Sequence, residues 1–124
     1  MKFERITIKN FRNFEDITLD LSNKNIFFGL NDVGKTNFLY AMRYLFDKDV
    51  RKHNLIDSDF HNKQLDSPIE IVVTLDISNT DNVDCQKLRA RLKGALRSEH
   101  TKVYIKLLAE YNKGELIAMP ILFW

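Results

Sequence analysis

The stretch GLNDVGKT at residues 29–36 restricts the fold more than any other feature of the sequence. It matches the pattern G-x-x-x-x-G-K-S/T, in which a glycine-rich loop follows a strand and opens a helix. The preceding run NIFFG is short and continuously apolar, which is typical of a strand covered on both faces. After the loop, apolar residues recur at helical spacing, at Phe38, Leu39, Met42, Leu45 and Phe46. The sequence therefore predicts a strand, a loop and a helix in that order.

Such a loop is suited to binding phosphate. Its backbone N–H groups converge on an anion at the helix N-terminus, where the helix dipole adds attraction. Lys35 would reach the β- and γ-phosphates, and the Thr36 hydroxyl would ligate Mg²⁺. The sequence thus predicts a site for ATP and Mg²⁺ formed by Asn31, Asp32, Val33, Gly34, Lys35, Thr36 and Asn37. The alternative is a glycine-rich turn that only caps an ordinary helix.

Strands are predicted on both sides of this motif. Apolar residues alternate with polar ones in three places, at Ile6 and Ile8, at Ile17, Leu19 and Leu21, and at Val103, Ile105 and Leu107. Alternation with a period of two marks a sheet buried on one face, typically antiparallel. Residues 10–16 would be a tight connection, and residues 112–114 a hairpin turn before a last strand. We expect an α+β fold of mostly antiparallel strands around the helix of the phosphate-binding motif, plus a second helix.

The second helix is predicted at residues 87–97, KLRARLKGALR. This segment has five basic residues and no acidic one, and leucines recur on one side of it. Its basic face could follow a DNA backbone. The candidates for a weak DNA contact are Lys87, Arg89, Arg91 and Lys93. A solvated amphipathic helix is the more common alternative, and Gly94 weakens the helix by up to ~1 kcal/mol.

A wider resemblance becomes visible from ITIKNFRNFEDITLDL through NIFFGLNDVGKTNFLYAMRYLF. This order resembles the N-terminal lobe of ABC-type ATPase heads of the SMC/RecF class. Within that class it is most similar to OLD-family nucleases (overcoming lysogenization defect), the group that includes the A component of the Gabija anti-phage system. The resemblance implies an ATP-regulated DNA endonuclease that forms homo-oligomers through its ATPase region and has a helicase-like partner protein.

The resemblance also implies roles for individual residues. In such heads the turn after the first strand sends side chains to the nucleotide, which carries over to Arg12 and Asn13. A guanidinium suits phosphate oxygens, so the chemistry of Arg12 agrees. The region after the helix of the phosphate-binding motif approaches DNA in this class, which makes Arg51 and Lys52 weak candidates for that contact.

Other parts of such heads are missing from the sequence. The apparent Walker B stretch, IEIVVTLDI, alternates apolar and polar residues, so Asp76 falls on the polar face of a half-exposed strand. The sequence has no LSGGQ-like stretch and no metal-binding nuclease constellation. We expect residues 1–124 to be the N-terminal piece of a longer protein, inactive alone, without the rest of the ATPase head and the Toprim nuclease domain.

Several alternatives stay open at this point. A self-sufficient small P-loop NTPase or kinase would use Asp76 as its Walker B carboxylate, and a non-catalytic module would mainly dimerise. His53, Asp57, Asp59 and His61 are close in sequence and of metal-binding types, although such composition is ordinary in loops. No apolar run reaches the ~20 residues that a membrane helix needs, and the single Cys85 is simplest to interpret as a sign of a reducing cytoplasm.

Overall fold

The computed structural model describes residues 2–21, 30–76, 86 and 102–123. Within these ranges, five strands form one antiparallel sheet in the order β2-β1-β3-β4-β5. The strands are β1 (Lys2–Phe11), β2 (Phe14–Asp20), β3 (Ile69–Asp76), β4 (Lys102–Asn112) and β5 (Ile117–Phe123). The described helices are α1 (Asp32–Phe46) and the short α2 (Lys48–Arg51), followed by single 3-10 turns at Asp57–Asp59 and His61–Lys63.

The core lies on one face of this sheet. Two rows of buried side chains cross its three central strands, Ile6–Val73–Ile105 and Ile8–Ile71–Leu107. Side chains of the alternate residues point to the opposite face because the period of a strand is two. The rows therefore form a continuous apolar surface that another element can cover.

Helix α1 covers that surface. Its buried apolar side chains, Phe38, Ala41, Tyr44 and Leu45, belong to the same core as the two rows. Two edge-on ring contacts help to fix the helix, one between Phe46 and Phe3 and one between Tyr44 and Phe11. The packing places the beginning of α1, and with it the GKT residues, beside the sheet.

The predicted α+β fold of mostly antiparallel strands is confirmed. The tight connection at residues 10–16 is a turn between β1 and β2, and the turn after Asn112 leads into β5. In that second turn the Asn112 side chain accepts hydrogen bonds from the N–H groups of Gly114 and Glu115. The predicted strand at 25–29 and the predicted second helix at 87–97 lie outside the described residues.

The prediction for α1 was right about the helix and wrong about part of its buried face. Leu39 and Phe46 are 55% and 44% exposed, although both belong to the predicted apolar stripe. Ala41 and Tyr44 are buried instead, because the sheet covers one side of the helix and leaves the neighbouring side open. In the described part of the chain, no helix combines the length and the apolar character that crossing a membrane requires.

Candidate functional site

The GKT part of the motif at residues 29–36 lies in the first turns of α1. The helix begins at Asp32, and Asn31 is its N-cap residue, with extended backbone angles. The Asn31 Oδ1 accepts a hydrogen bond from the Gly34 N–H at 2.7 Å. Asparagine is among the preferred N-cap residues because its side chain pairs an N–H group that lacks a helical acceptor. The motif thus begins a helix as predicted, while Gly29 lies outside the described residues.

Gly34 favours this close approach because it has no side chain. A Cβ built at Gly34 would lie 3.1 Å from Asn31 Oδ1 and 3.5 Å from the Leu30 Cβ. The first distance is shorter than an ordinary van der Waals contact, so any other residue would push on the cap. The second glycine of the motif therefore has a packing reason in this structure.

The two residues that directly follow Gly34, Lys35 and Thr36, have the most specific predicted roles. Lys35 is partly exposed and Thr36 is exposed. Thr36 donates its hydroxyl proton to the Asp32 carbonyl oxygen at 3.1 Å. No salt bridge joins Lys35 to another described residue, so among these residues its ammonium has no carboxylate to neutralise it.

The turn between β1 and β2 reaches the same part of α1. Arg12 has a positive φ of 52°. Its Nη1 donates to Asn37 Oδ1 at 3.0 Å, and its guanidinium carbon lies 4.3 Å from the centre of the Tyr40 ring. Asn37 in turn donates from Nδ2 to Asn13 Oδ1 at 2.8 Å. The structure therefore brings Arg12, Asn13 and Asn37 together, although the turn and the helix are distant in sequence.

A third segment completes this cluster, and sequence reasoning assigned it no such role. Asp59 Oδ1 accepts from Arg12 Nε at 3.1 Å, and the Asp59 carbonyl accepts from the Arg12 N–H at 2.8 Å. His61 Nδ1 lies 2.9 Å from the Arg12 carbonyl oxygen, a distance at which a protonated Nδ1 donates. The sequence marks Asp59 and His61 as loop residues of metal-binding types and does not indicate their contact with Arg12, because this partner is 47 and 49 positions away.

The phenol of Tyr44, which is close enough to this cluster to interact with the charges of Asp59 and Arg12, remains neutral. Burial, and after it the Asp59 charge, raises the pKa of Tyr44 above its ordinary value of 10.0, and the Arg12 charge opposes this rise. Tyr44 therefore stays protonated near neutral pH. Asp59 provides the negative charge that faces the Arg12 guanidinium in this cluster.

The metal alternative for the loop at residues 53–61 finds no support in the described residues. Among them there is no group of three or more His, Cys, Asp or Glu side chains placed to hold a metal ion. Asp59 and His61 contact the Arg12 turn instead. Through these contacts the two residues hold the turn between β1 and β2 in place.

The predicted DNA contacts fall into two groups. Arg51 donates from Nη1 to the carbonyl oxygens of Tyr44 and Leu45, at 3.0 and 2.7 Å, and so binds the last turn of α1. Lys52 is exposed and lies 3.4 Å from Asp49 in an ion pair. The basic residues Lys87, Arg89, Arg91 and Lys93 lie outside the described residues. A DNA contact of any of these residues stays a prediction.

Asp76 lies at the end of the central strand β3, opposite Lys102 of β4. Its neighbour Leu75 is buried in the core that contains Phe38 of α1. Because side chains alternate along a strand, Asp76 is on the face of the sheet that points away from α1. The predicted alternation of the strand is confirmed, but this face of β3 is partly covered and not exposed, since Asp76 is half-buried and Thr74 is buried.

Comparison with known proteins places the chain in a family. The family model described as "AAA ATPase domain" matches residues 1–120. The chain is 50% identical over 126 residues to a protein named "Endonuclease GajA" from Bacillus cereus, a match that covers 100% of the chain and 22% of that protein. It is 32% identical over 115 residues to the "DNA replication and repair protein RecF" of Azobacteroides pseudotrichonymphae, covering 91% of the chain and 28% of that protein.

A second RecF protein, from Lactococcus lactis subsp. cremoris, is 54% identical over 46 residues, or 36% of the chain and 13% of its own length. The predicted resemblance to OLD/Gabija-type and RecF-class ATPase lobes is confirmed by these similarities. The matched parts of the chain cover 22%, 13% and 28% of the lengths of these relatives, less than a third in each case.

Proposed function

The chain belongs to the AAA ATPase domain family, and on that premise we propose that residues 1–124 are the ATP-binding N-terminal lobe of an ATP-regulated DNA endonuclease of the OLD/Gabija type. The proposed role of the whole protein is anti-phage defence. The name of the Bacillus cereus relative, which is half identical to the chain, supports the endonuclease part of this proposal.

One observation carries the proposal of ATP binding. The GKT residues lie in the first turns of α1, and the next residue, Asn37, accepts a hydrogen bond from the Arg12 guanidinium, so a lysine, a hydroxyl and a guanidinium belong to neighbouring positions of one helix. An anion is stabilised there by the N–H groups and by the helix dipole. In this site Lys35 would contact the β- and γ-phosphates, and Arg12 and Asn13 would contact the nucleotide from the turn.

The residues present also fit Mg²⁺. A hydroxyl has one proton to donate and two lone pairs that accept. Because the Thr36 proton is directed at the Asp32 carbonyl oxygen, the lone pairs of Oγ1 remain for a cation. Mg²⁺ prefers oxygen ligands and usually shares them with substrate phosphates. When bound, the ion would neutralise phosphate charge, and Thr36 would be its ligand from this lobe.

The activities of the whole protein are part of the proposal. We infer that DNA is bound and cut by the longer protein, in a Toprim domain outside residues 1–124. Homo-oligomers would form through the ATPase region, and a helicase-like protein would be a further partner. We infer no catalytic role for any of the described residues.

The test is nucleotide binding by a Lys35→Ala variant. We expect calorimetric titration with ATP–Mg²⁺ to detect binding by the natural chain and none by the variant, because the variant loses the charge that faces the phosphates. The partly exposed Lys35 is not a core residue, so the fold should persist, as circular dichroism would check. Lys113→Ala is the matched control, since Lys113 is exposed in the turn between β4 and β5. Equal affinity of Lys35→Ala and the natural chain would refute the proposed site.

A further inference from the structure

The residue Arg12 is bound at three points by one short segment. Its N–H donates to the Asp59 carbonyl, its Nε donates to the Asp59 carboxylate, and its own carbonyl oxygen lies within hydrogen-bond distance of His61. An isolated bridge between Phe11 and Phe60 joins the same two segments. The loop before β3 therefore fixes both the backbone and the side chain of this turn residue.

Two of the three guanidinium nitrogens of Arg12 are held by hydrogen bonds. Nε is bound by Asp59 and Nη1 by Asn37, and the guanidinium lies near the Tyr40 ring. A guanidinium is planar and rigid, so two bound nitrogens fix the orientation of the whole group. Within the described part of the chain, Nη2 forms no hydrogen bond, and the side chain is 25% exposed. The group is thus oriented while part of it remains accessible.

Asp59 is itself firmly placed. Its Oδ2 accepts from the Ile56 N–H at 2.9 Å while its Oδ1 accepts from Arg12, and its side chain is only 13% exposed. Both carboxylate oxygens therefore have donors. An asparagine could not reproduce this, because its amide nitrogen cannot accept from the Ile56 N–H.

We propose that Asp59 is a positioning residue for the nucleotide site, which orients the Arg12 guanidinium for the phosphates before the nucleotide binds. This inference rests on the proposed function, since it assumes that Arg12 contacts the nucleotide. A group that is already oriented loses less conformational freedom on binding, so the same contact contributes more to affinity. Asp59 acts through Arg12 and does not itself touch the nucleotide.

The experiment is a double-mutant cycle read by ATP–Mg²⁺ affinity. We expect Asp59→Asn to weaken binding about tenfold while the fold is kept, because the backbone bond from the Arg12 N–H to the Asp59 carbonyl remains. In an Arg12→Ala background, Asp59→Asn should have no further effect. Asp57→Asn is the matched control, since Asp57 is exposed two positions earlier and should bind ATP–Mg²⁺ like the natural chain.

The possible results separate this inference from the proposed function. If Asp59→Asn lowers ATP–Mg²⁺ affinity only when Arg12 is present, the inference is supported. The positioning role is overturned if Asp59→Asn binds ATP–Mg²⁺ normally, or if it loses as much affinity in the Arg12→Ala background as in the natural chain. Either result leaves Lys35-dependent binding intact. If the natural chain shows no Lys35-dependent binding, both are overturned. Should Asp59→Asn not fold, Asp59→Glu replaces it with the same expected loss, because the added methylene displaces the carboxylate from Nε.

Discussion

Among single residues, Arg51 has a structural position that its charge alone does not reveal. Its guanidinium donates to the Tyr44 and Leu45 carbonyls at the end of α1. The last carbonyl groups of a helix have no partner within the helix, and a cation there also opposes the negative end of the helix dipole. Lys52, the next residue, forms an exposed ion pair with Asp49. Two adjacent basic residues thus have different contributions to stability.

We expect Arg51→Ala to lower the free energy of unfolding by about 1–2 kcal/mol, because two carbonyl groups lose a charged donor. Lys52→Ala should change it by less than about 0.5 kcal/mol, as is usual for an exposed pair. Urea unfolding of the two variants and the natural chain measures both values. Equal losses, or a larger loss for Lys52→Ala, would contradict the role of Arg51 as a support of α1.

The site residues could be predicted from sequence only where their signal is local. Asn31 to Asn37 are contiguous and have a fixed spacing, so the motif alone locates them. Arg12 and Asn13 were predicted for the candidate site through a family resemblance, since no pattern in the turn itself indicates a site. Asp59 could not be found, because an Asp in a polar loop is ordinary and its partner lies 47 positions away. Its role depends on tertiary contact.

At the scale of elements, α1 has two apolar sides that differ in burial. Leu45 is 2% exposed and lies in the core, whereas Leu39 is 55% exposed. Leu39 and Phe46 instead line an open groove of about 960 Å³, together with Thr36 and Tyr40. Periodicity identifies the apolar positions of a helix but does not say which of them the sheet will cover. That choice depends on the packing of the ring pairs and the two rows of the sheet.

These two leucines make a matched test of the packing. Leu45→Ala should lower the free energy of unfolding by about 2–5 kcal/mol, since it leaves a cavity in a filled core. Leu39→Ala should cost less than about 1 kcal/mol, because its side chain is already largely in water and alanine favours the helix. Thermal or urea unfolding compares the pair. A Leu39→Ala variant as unstable as Leu45→Ala would mean that α1 is rotated from the position described.

The strands were easier to predict than the helix face, for a physical reason. In a sheet with one covered face, the alternation of apolar and polar residues shows which side chains of a strand face the core, as at Ile6 and Ile8 in β1. The same alternation placed Asp76 on the polar face of β3 without any knowledge of the partners. The order of the strands in the sheet is a different matter. Nothing local shows that β3 pairs with β1, because that pairing joins segments far apart in the chain.

At the scale of the whole molecule, α1 with its proposed nucleotide site and the carboxylate of Asp76 belong to opposite faces of the sheet. Phosphoryl transfer needs a positioned water, carboxylates near the metal and groups that stabilise charge on the transferred phosphoryl. Lys35, Thr36 and Arg12 would supply part of the charge stabilisation. Asp76 is the carboxylate that a self-sufficient NTPase would use, yet it lies on the face of the sheet opposite to α1.

We therefore expect residues 1–124 alone to release phosphate from ATP at the background rate, because ATP can be held without a carboxylate to orient the attacking water. Asp76→Asn should change neither this rate nor ATP–Mg²⁺ affinity, while Lys35→Ala should abolish binding. A phosphate-release assay measures hydrolysis, and calorimetry on the same samples measures ATP–Mg²⁺ affinity. Robust hydrolysis that disappears in Asp76→Asn would establish the small-NTPase alternative, since only a direct catalytic role of Asp76 produces that loss while binding is kept.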